Sequence, residues 1–304
     1  MLMEIGKSGL KGSRIALGCM RMADLTVKEA ETVIGTALEN GLNFFDHADI
    51  YGGGQSELRF SEALQALDVR REDIIVQSKC GIQKGFFDFS KDHILTSVDG
   101  ILSRLGTDYL DFLLLHRPDA LMEPEEVAEA FSLLEKAGKV KHFGVSNQNR
   151  SQMAFLNHYL KQDLQVNQLQ LSPVHSPIID AGLNVNMVTS ASADRDGGIM
   201  DYCRLNQITI QAWSPFQIDL NQGTFFGKAA YQQLNDTLND YAGRYQVSPE
   251  AIVTAWILRH PAKIQTVVGS MNPERISKIA EAEKVVLSRP EWYEIYQRAG
   301  HSLP

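Results

Sequence analysis

Four residues of complementary chemistry stand where apolar runs of the chain give out. Asp46, Lys79 and His116 end three such runs, and Tyr51 lies just beyond the first, in Asp46-His-Ala-Asp-Ile-Tyr51-Gly-Gly-Gly. A phenol with a pKa of about 10 keeps its proton at neutral pH and gives it up reluctantly. A lysine ammonium ~4 Å away favours the tyrosinate by ~4 kcal/mol at an effective dielectric of ~20, before desolvation is counted. Lys79 is therefore expected to lower the pKa of Tyr51. Asp46 would keep Lys79 charged in a partly buried site. His116 would donate a hydrogen bond to an oxygen that is gaining charge. Such a set suits protonation of a carbonyl oxygen while a nucleophile adds to its carbon. Taken singly, each residue has a plain structural reading: an interior ion pair, a loop aromatic, a hydrogen-bonded histidine at a strand end. The chemistry needs a fold that brings all four to one place.

The pattern of the chain predicts one. Short apolar runs alternate with longer amphipathic stretches. Ile15–Met20 reads as a strand, and Val27, Ala30, Val33, Ile34, Ala37 and Leu38 then share one helical face. Further strands are expected at Asn43–Asp46, Asp73–Lys79, Tyr109–Leu115, Lys141–Val145, Leu164–Gln168, Thr209–Trp213 and Ile264–Val268. Helices are expected near 56–67, near 94–105 and from Pro124 to a C-cap at Gly138. In the last, Pro124 suits the first turn, Glu125 and Glu126 complement the dipole, and Val127, Phe131 and Leu134 form the buried stripe. The strand ends fall about 36 residues apart on average, room for a βα unit with moderate loops. Eight such units predict a single (β/α)8 barrel domain over residues 1–304. Strands rich in Leu, Ile and Val agree with a parallel sheet covered on both faces. Residues 181–200, with the polar run Thr189–Gly198, and residues 214–248 exceed the repeat and should rise over the C-terminal mouth. A last helix should start at Ser288-Arg-Pro-Glu-Trp-Tyr. On one rim of a barrel, the ends of successive strands are neighbours, so residues 46 to 116 converge there.

Composition narrows the function classes. The chain has 304 residues, 29 Lys plus Arg against 37 Asp plus Glu, and a formal net charge of −8. Its 44% hydrophobic and 22% charged residues exclude disorder. An acidic chain lacks the footprint of a general nucleic-acid binder, and its apolar runs are strand-sized, so no membrane partner is expected. Cys19, Cys80 and Cys203 form neither a disulfide framework nor a zinc spacing. With no basic segment and long apolar core at the N-terminus, a cytoplasmic location is expected. Two decoys fall away. Gly223-Thr-Phe-Phe-Gly-Lys228 has three residues between its glycines, not the four of a Walker loop. Asp46-His47-Ala-Asp49 lacks supporting metal ligands, and Lys79 would repel a cation.

Several stretches carry a resemblance. Leu17-Gly-Cys-Met, Phe45-Asp-His-Ala-Asp-Ile-Tyr51-Gly, Leu102-Ser-Arg-Leu-Gly-Thr-Asp-Tyr-Leu-Asp111, Leu115-His116-Arg-Pro and Gly138-Lys-Val-Lys-His-Phe-Gly-Val-Ser-Asn147 are similar to the aldo-keto reductase superfamily, and most similar to its bacterial YdhF-type subgroup. Asp46, Tyr51, Lys79 and His116 resemble its catalytic tetrad. The resemblance implies an NADPH-dependent reductase that passes hydride to a small aldehyde or ketone, with Tyr51 protonating the oxygen. It implies that Ser146 and Asn147 hold the nicotinamide carboxamide with Gln168 beside it, and that Trp213 stacks on the ring. Gly18, Cys19 and Met20 would border the cofactor, and Ser214 and Phe216 would open a loop across the pyrophosphate. Gly269, Ser270 and Met271 would lead to a helix N-terminus gripping the 2′-phosphate, with Arg275 as its guanidinium partner. Gly269 replaces a lysine common in the family, and Lys278-Ile279 replaces a common Glu-Asn pair, which keeps NAD(H) open beside NADP(H). No GxGxxG follows a strand, as that family implies. A monomer or small homo-oligomer is expected. Two other readings are a redox-sensing regulatory subunit like potassium-channel β subunits, and a Schiff-base aldolase using Lys79.

Overall fold

Eight parallel strands close into a barrel in chain order: β1 (Ile15–Gly18), β2 (Phe44–Asp46), β3 (Ile75–Cys80), β4 (Leu110–Leu115), β5 (Val140–Ser146), β6 (Leu164–Gln170), β7 (Thr209–Trp213) and β8 (Gln265–Val268), with β8 pairing back onto β1. The computed structural model describes residues 1–188, 190–195, 197–219 and 221–303, with the backbone alone at 191. Thr189 and Asp196, within the polar run read from the sequence, and residue 220 of the second long segment lie outside the described residues. Helices α1 (Val27–Glu39), α2 (Gln55–Gln65), α3 (Lys91–Leu105), α4 (Pro124–Lys136) and α5 (Arg150–Tyr159) each follow one strand. Two helices follow each later strand: α6 (Pro177–Leu183) and α7 (Ile199–Leu205), α8 (Gln232–Tyr245) and α9 (Pro249–Leu258), α10 (Pro273–Ala280) and α11 (Arg289–Arg298). This is the (β/α)8 architecture expected from the repeat.

The pleat decides which residues can do chemistry. Successive side chains on a strand alternate between the barrel interior and the helices. Ile15, Leu17, Phe45, Val76, Leu113, Phe143 and Val145 point outward into the large core shared with the helices. The Phe131 ring of α4 stacks on Phe143 at 4.0 Å in that layer. Ala16, Phe44, Ile75, Phe112, Leu114, Val166 and Val267 point inward and pack into a small separate core with Ile5. Asp46, Gln77, Lys79, Ser146, Gln168, Gln211 and Trp213 follow the inward residues at two-residue spacing, so they share the same interior. Gly144 is needed on that face, because a Cβ there would meet the Val166 carbonyl at 2.7 Å and Leu114 at 2.6 Å.

The bounds of β7 coincide with those read in the sequence, and those of the other strands differ by one or two residues. β1 stops at Gly18 because Met20 already lies in a turn, closed by the Met22 N–H donating to the Cys19 carbonyl at 3.0 Å. An N-terminal hairpin, Leu2–Glu4 with Lys11–Ser13, was not legible. It covers the opposite end of the barrel. The Gly6 N–H donates to Thr209 Oγ1 at 2.7 Å and the Lys7 N–H to Gln165 Oε1 at 2.6 Å, both near strand starts. Helix α9 is buried on every side and so shows no amphipathic stripe. Its Trp256 stacks on Trp292 of α11 at 4.8 Å, and each indole N–H donates to the other residue's carbonyl. No helix among the described residues is long and apolar enough to cross a membrane.

Candidate active site

The four residues singled out by chemistry meet at the C-terminal rim. Asp46 ends β2, Lys79 is the fifth residue of β3, and His116 directly follows β4. The strand ends are stitched together by backbone bonds: His47 N–H to the Gln77 carbonyl, Asp49 N–H to that of Lys79, His116 N–H to that of Cys80. The turn after β2 carries Tyr51 back over the rim. Gly52, Gly53 and Gly54, all at positive φ, let it reverse before α2 begins. Lys79 Nζ then has three partners. It lies 2.7 and 2.8 Å from the two carboxylate oxygens of Asp46, donates to the His47 carbonyl at 2.7 Å, and lies 3.3 Å from Tyr51 Oη. The His116 ring meets the Tyr51 ring edge-on at 6.0 Å.

Electrostatics follow from burial. Lys79 is fully buried. Desolvation works against its charge, but Asp46 and Tyr51 together outweigh that and hold its pKa above the ordinary lysine range. His116 is held well below the usual imidazole range by burial, then by Lys79 and Arg117, so the ring is neutral at pH 7. The expectation for Tyr51 is reversed: its pKa is raised, not lowered. Burial of the phenol is the largest cause, the pull of Lys79 is smaller, and Asp46 beside Lys79 works against that pull.

Behind the rim, Asp49 Oδ1 is buried without a partner. Burial, then Glu57, push its carboxyl up to about 7, against the opposing pull of Arg104, the Ile50 N–H and Lys79. The native state therefore binds this proton more tightly than the unfolded chain, whose carboxyl has a pKa of about 3.9. The stability so gained is full at low pH and is lost as pH rises from ~4 through about 7. Urea unfolding across that window should show a shallower decline for Asp49→Asn than for the parent chain. Parallel curves would place the titration elsewhere.

The sequence singled out Gln168 but missed the layer of glutamines it joins under Asp46. Gln77 Nε2 donates to Asp46 Oδ1 at 2.6 Å and Gln168 Nε2 to the same oxygen at 3.0 Å. Both amides also donate to Gln211 Oε1, at 2.8 and 3.0 Å, and Gln211 Nε2 donates to Gln265 Oε1 at 2.8 Å. Gln168, Gln211 and Gln265 are register neighbours across β6, β7 and β8. Asp46 is thereby clamped from below by neutral amides and from the side by Lys79. Spacing was the available signal: Gln77 precedes Lys79 by two residues, as Gln211 precedes Trp213, so each shares its neighbour's face.

A cleft of about 920 Å³ opens above the set and is bordered by Asp46, Tyr51 and His116. Gly18, Met20, Ser146, Asn147, Gln168, Trp213, Ser214, Phe216, Gly269, Ser270, Met271 and Arg275 border it too, so residues far apart in the chain are brought together. Cys19 is not among them; its side chain is buried with Sγ near the Leu17 carbonyl, and burial, the largest cause, raises its pKa. Cys80 and Cys203 are likewise buried free thiols. Among the described residues no group of His, Cys, Asp and Glu is arranged to hold a metal.

The donor set of the cleft has two ends. At one, Asn147 Nδ2 donates to Ser146 Oγ at 2.7 Å, Ser146 Oγ donates to the Gln168 carbonyl at 3.0 Å, and Trp213 Nε1 donates to Asn147 Oδ1 at 3.3 Å. Asn147 and Ser214 hold positive φ, 57° and 52°, at the ends of β5 and β7. Such strain in non-glycine residues gathers at functional sites. Gln168 turns its amide down to Asp46, not along the cleft toward Asn147. At the other end α10 starts with Asn272 Oδ1 accepting from the Arg275 N–H at 2.9 Å. Arg275 lies there with Nε 3.9 Å from Glu250. Arg21, which the sequence did not single out, also borders the cleft and donates through Nη1 to the Gly269 carbonyl at 3.0 Å. A Cβ on Gly269 would lie 3.4 Å from that same nitrogen, so the glycine leaves room for a cation from the β1–α1 turn. Amides and an indole at one end, guanidiniums and a helix N-terminus at the other, fit a nicotinamide dinucleotide in chemistry.

A buried Asp–Lys–Tyr cluster and a neutral histidine thus stand at the base of a long barrel cleft. Residues 14–298 match the model of the aldo/keto reductase family. Oxidoreductase YdhF of Escherichia coli (strain K12) is 36% identical over 99% of this chain and 98% of its own. A 6-dehydroglucose reductase of Novosphingobium aromaticivorans is 34% identical over 99% and 96%. A crystal structure of a Bombyx mori aldo-keto reductase in complex with NADP covers 99% of this chain and 94% of its own, with a TM-score of 0.77 at 21% identity, a likeness of fold. The chain belongs to the aldo/keto reductase family, and is an NAD(P)H-dependent oxidoreductase.

Proposed function

We infer that this chain, working as one domain, reduces an aldehyde or ketone to an alcohol with NADP(H), and that Tyr51 is the general acid. The observation that carries the reading is the buried Lys79 ammonium, which touches both Asp46 and the Tyr51 hydroxyl at the base of the cleft. A bound reduced nicotinamide supplies the hydride. Everything else falls to the protein. Tyr51 Oη gives its proton to the carbonyl oxygen as negative charge grows there. Lys79, held by Asp46, stabilises the tyrosinate left behind. His116, being neutral, keeps an N–H to donate to the same oxygen and does not compete with Tyr51 as the acid. The raised pKa of Tyr51 means that the phenol carries its proton at pH 7, the state an acid must start from.

Ser146 and Asn147 fit the carboxamide, and Trp213 offers the ring a flat partner. Arg275, Arg21 and the start of α10 fit the phosphates. The reading is tested by following NADPH and NADH oxidation against aldehydes, diketones and quinones. Multiple turnover supports an enzyme, whereas a single stoichiometric oxidation favours the regulatory-subunit alternative. Arg275→Ala should weaken NADPH binding by at least ~10-fold, the size of one charge-assisted contact, and leave NADH far less affected. Equal losses for both cofactors in fluorescence titration would place the 2′-phosphate elsewhere.

A further inference from the structure

Arg117, next to His116, is a cation without a counter-charge at the reaction end of the cleft. Two other cations near this rim are paired, Lys79 with Asp46 and Arg104 with Glu57, while Arg21 is held by the Gly269 carbonyl. Among the described residues Arg117 has neither an ion-pair partner nor a hydrogen-bond acceptor. Its guanidinium carbon lies 5.6 Å from the centre of the Trp213 ring. It borders both the main cleft and an adjoining hollow of about 460 Å³, so it stands between Tyr51 and open space. Burial lowers its pKa while Tyr51 pulls the other way, which places it within electrostatic reach of the acid.

The hollow beyond it is suited to negative charge. Arg195 faces it and, among the described residues, donates to the neutral carbonyls of Ser190 and Ala193, at 3.0 and 3.2 Å. The acidic side chain there, Asp219, is taken up by its own turn, accepting from the Asn221 and Gln222 N–H groups at 2.8 and 2.7 Å. His175, also facing it, has its pKa lowered chiefly by burial. An unpaired, half-buried guanidinium carries a desolvation cost that an incoming anion would offset. Its flat fork matches the oxygens of a carboxylate or phosphate.

We propose that the carbonyl substrate bears an anionic oxygen group, and that Arg117 binds this group and sets the specificity of the site. The proposal rests on the reductase reading for the reacting carbonyl, and on Arg117 for the anion. A guanidinium so placed would draw an oxo acid or a phosphorylated aldehyde into the cleft with its carbonyl toward Tyr51.

The test compares 4-carboxybenzaldehyde, 4-formylphenyl phosphate and the neutral methyl 4-formylbenzoate with NADPH. The better anion should exceed the ester in kcat/KM by at least ~10-fold. Which of the two leads tells carboxylate from phosphate. In Arg117→Met the ratio of anion to ester should fall close to one, and Arg117→Lys, keeping charge without the fork, should restore part of it. Equal ratios in the parent chain and Arg117→Met overturn the proposal while leaving carbonyl reduction intact. Calorimetric titration with benzoate and phenyl phosphate reads the same site without turnover. Binding at least ~10-fold weaker in Arg117→Met supports the proposal even if no aldehyde is reduced, a result that would sink the reductase reading alone. Equal binding in the two proteins, or none in either, overturns it.

Discussion

Tyr51→Phe should cut kcat by at least ~10²-fold and leave NADPH binding nearly unchanged, since proton transfer by a placed side chain contributes ~10²–10⁴-fold. The substitution removes one oxygen and little else. The ring keeps its edge contact with His116 at 6.0 Å and its place 5.1 Å from Lys79 Nζ. Lys79 keeps Asp46 and the His47 carbonyl as partners. What disappears is the hydroxyl 3.3 Å from the ammonium, and with it the proton that the proposed acid would give to the carbonyl oxygen. Because burial raises the Tyr51 pKa, any alkaline loss of activity due to this group in the parent chain should lie above the range of an ordinary tyrosine. Turnover near that of the parent chain in Tyr51→Phe would refute the assignment.

Lys79→Met should harm folding as well as chemistry. Removing one member of a buried ion pair leaves the other charge unpaired and costs about 3–5 kcal/mol. Both partners here are buried, and Asp46 would keep only the amides of Gln77 and Gln168. Asp46→Asn added to Lys79→Met removes the stranded charge and leaves an oxygen for those amides to reach. The double variant should recover most of the lost stability in urea unfolding, yet remain without activity, because no ammonium faces the Tyr51 hydroxyl. A single variant as stable as the parent chain would mean that the pair is solvated. A double variant that turns over would remove Lys79 from the mechanism.

Much of this was legible because a parallel barrel writes itself as a repeat. Apolar strands alternating with amphipathic helices mark the eight units, and the ends of three strands carry Asp46, Lys79 and His116. The interior polar layer was harder. Gln77, Gln211 and Gln265 look in isolation like solvent-facing strand residues, and only closure of the sheet turns them inward into one hydrogen-bonded layer, of which Gln77 reaches Asp46. The sign of the Tyr51 shift also escaped, since the charge on Lys79 is written in the sequence but the depth of the phenol is not. Arg21 was overlooked for a related reason: its importance lies in the empty space at Gly269, a residue far away in the chain. The N-terminal hairpin is too short to carry a periodic signal, and α9 is apolar all round.

That hairpin has a consequence for traffic. With Ile5 and its neighbours packed into the far end, coenzyme and reactant would both come to Tyr51 from the C-terminal side.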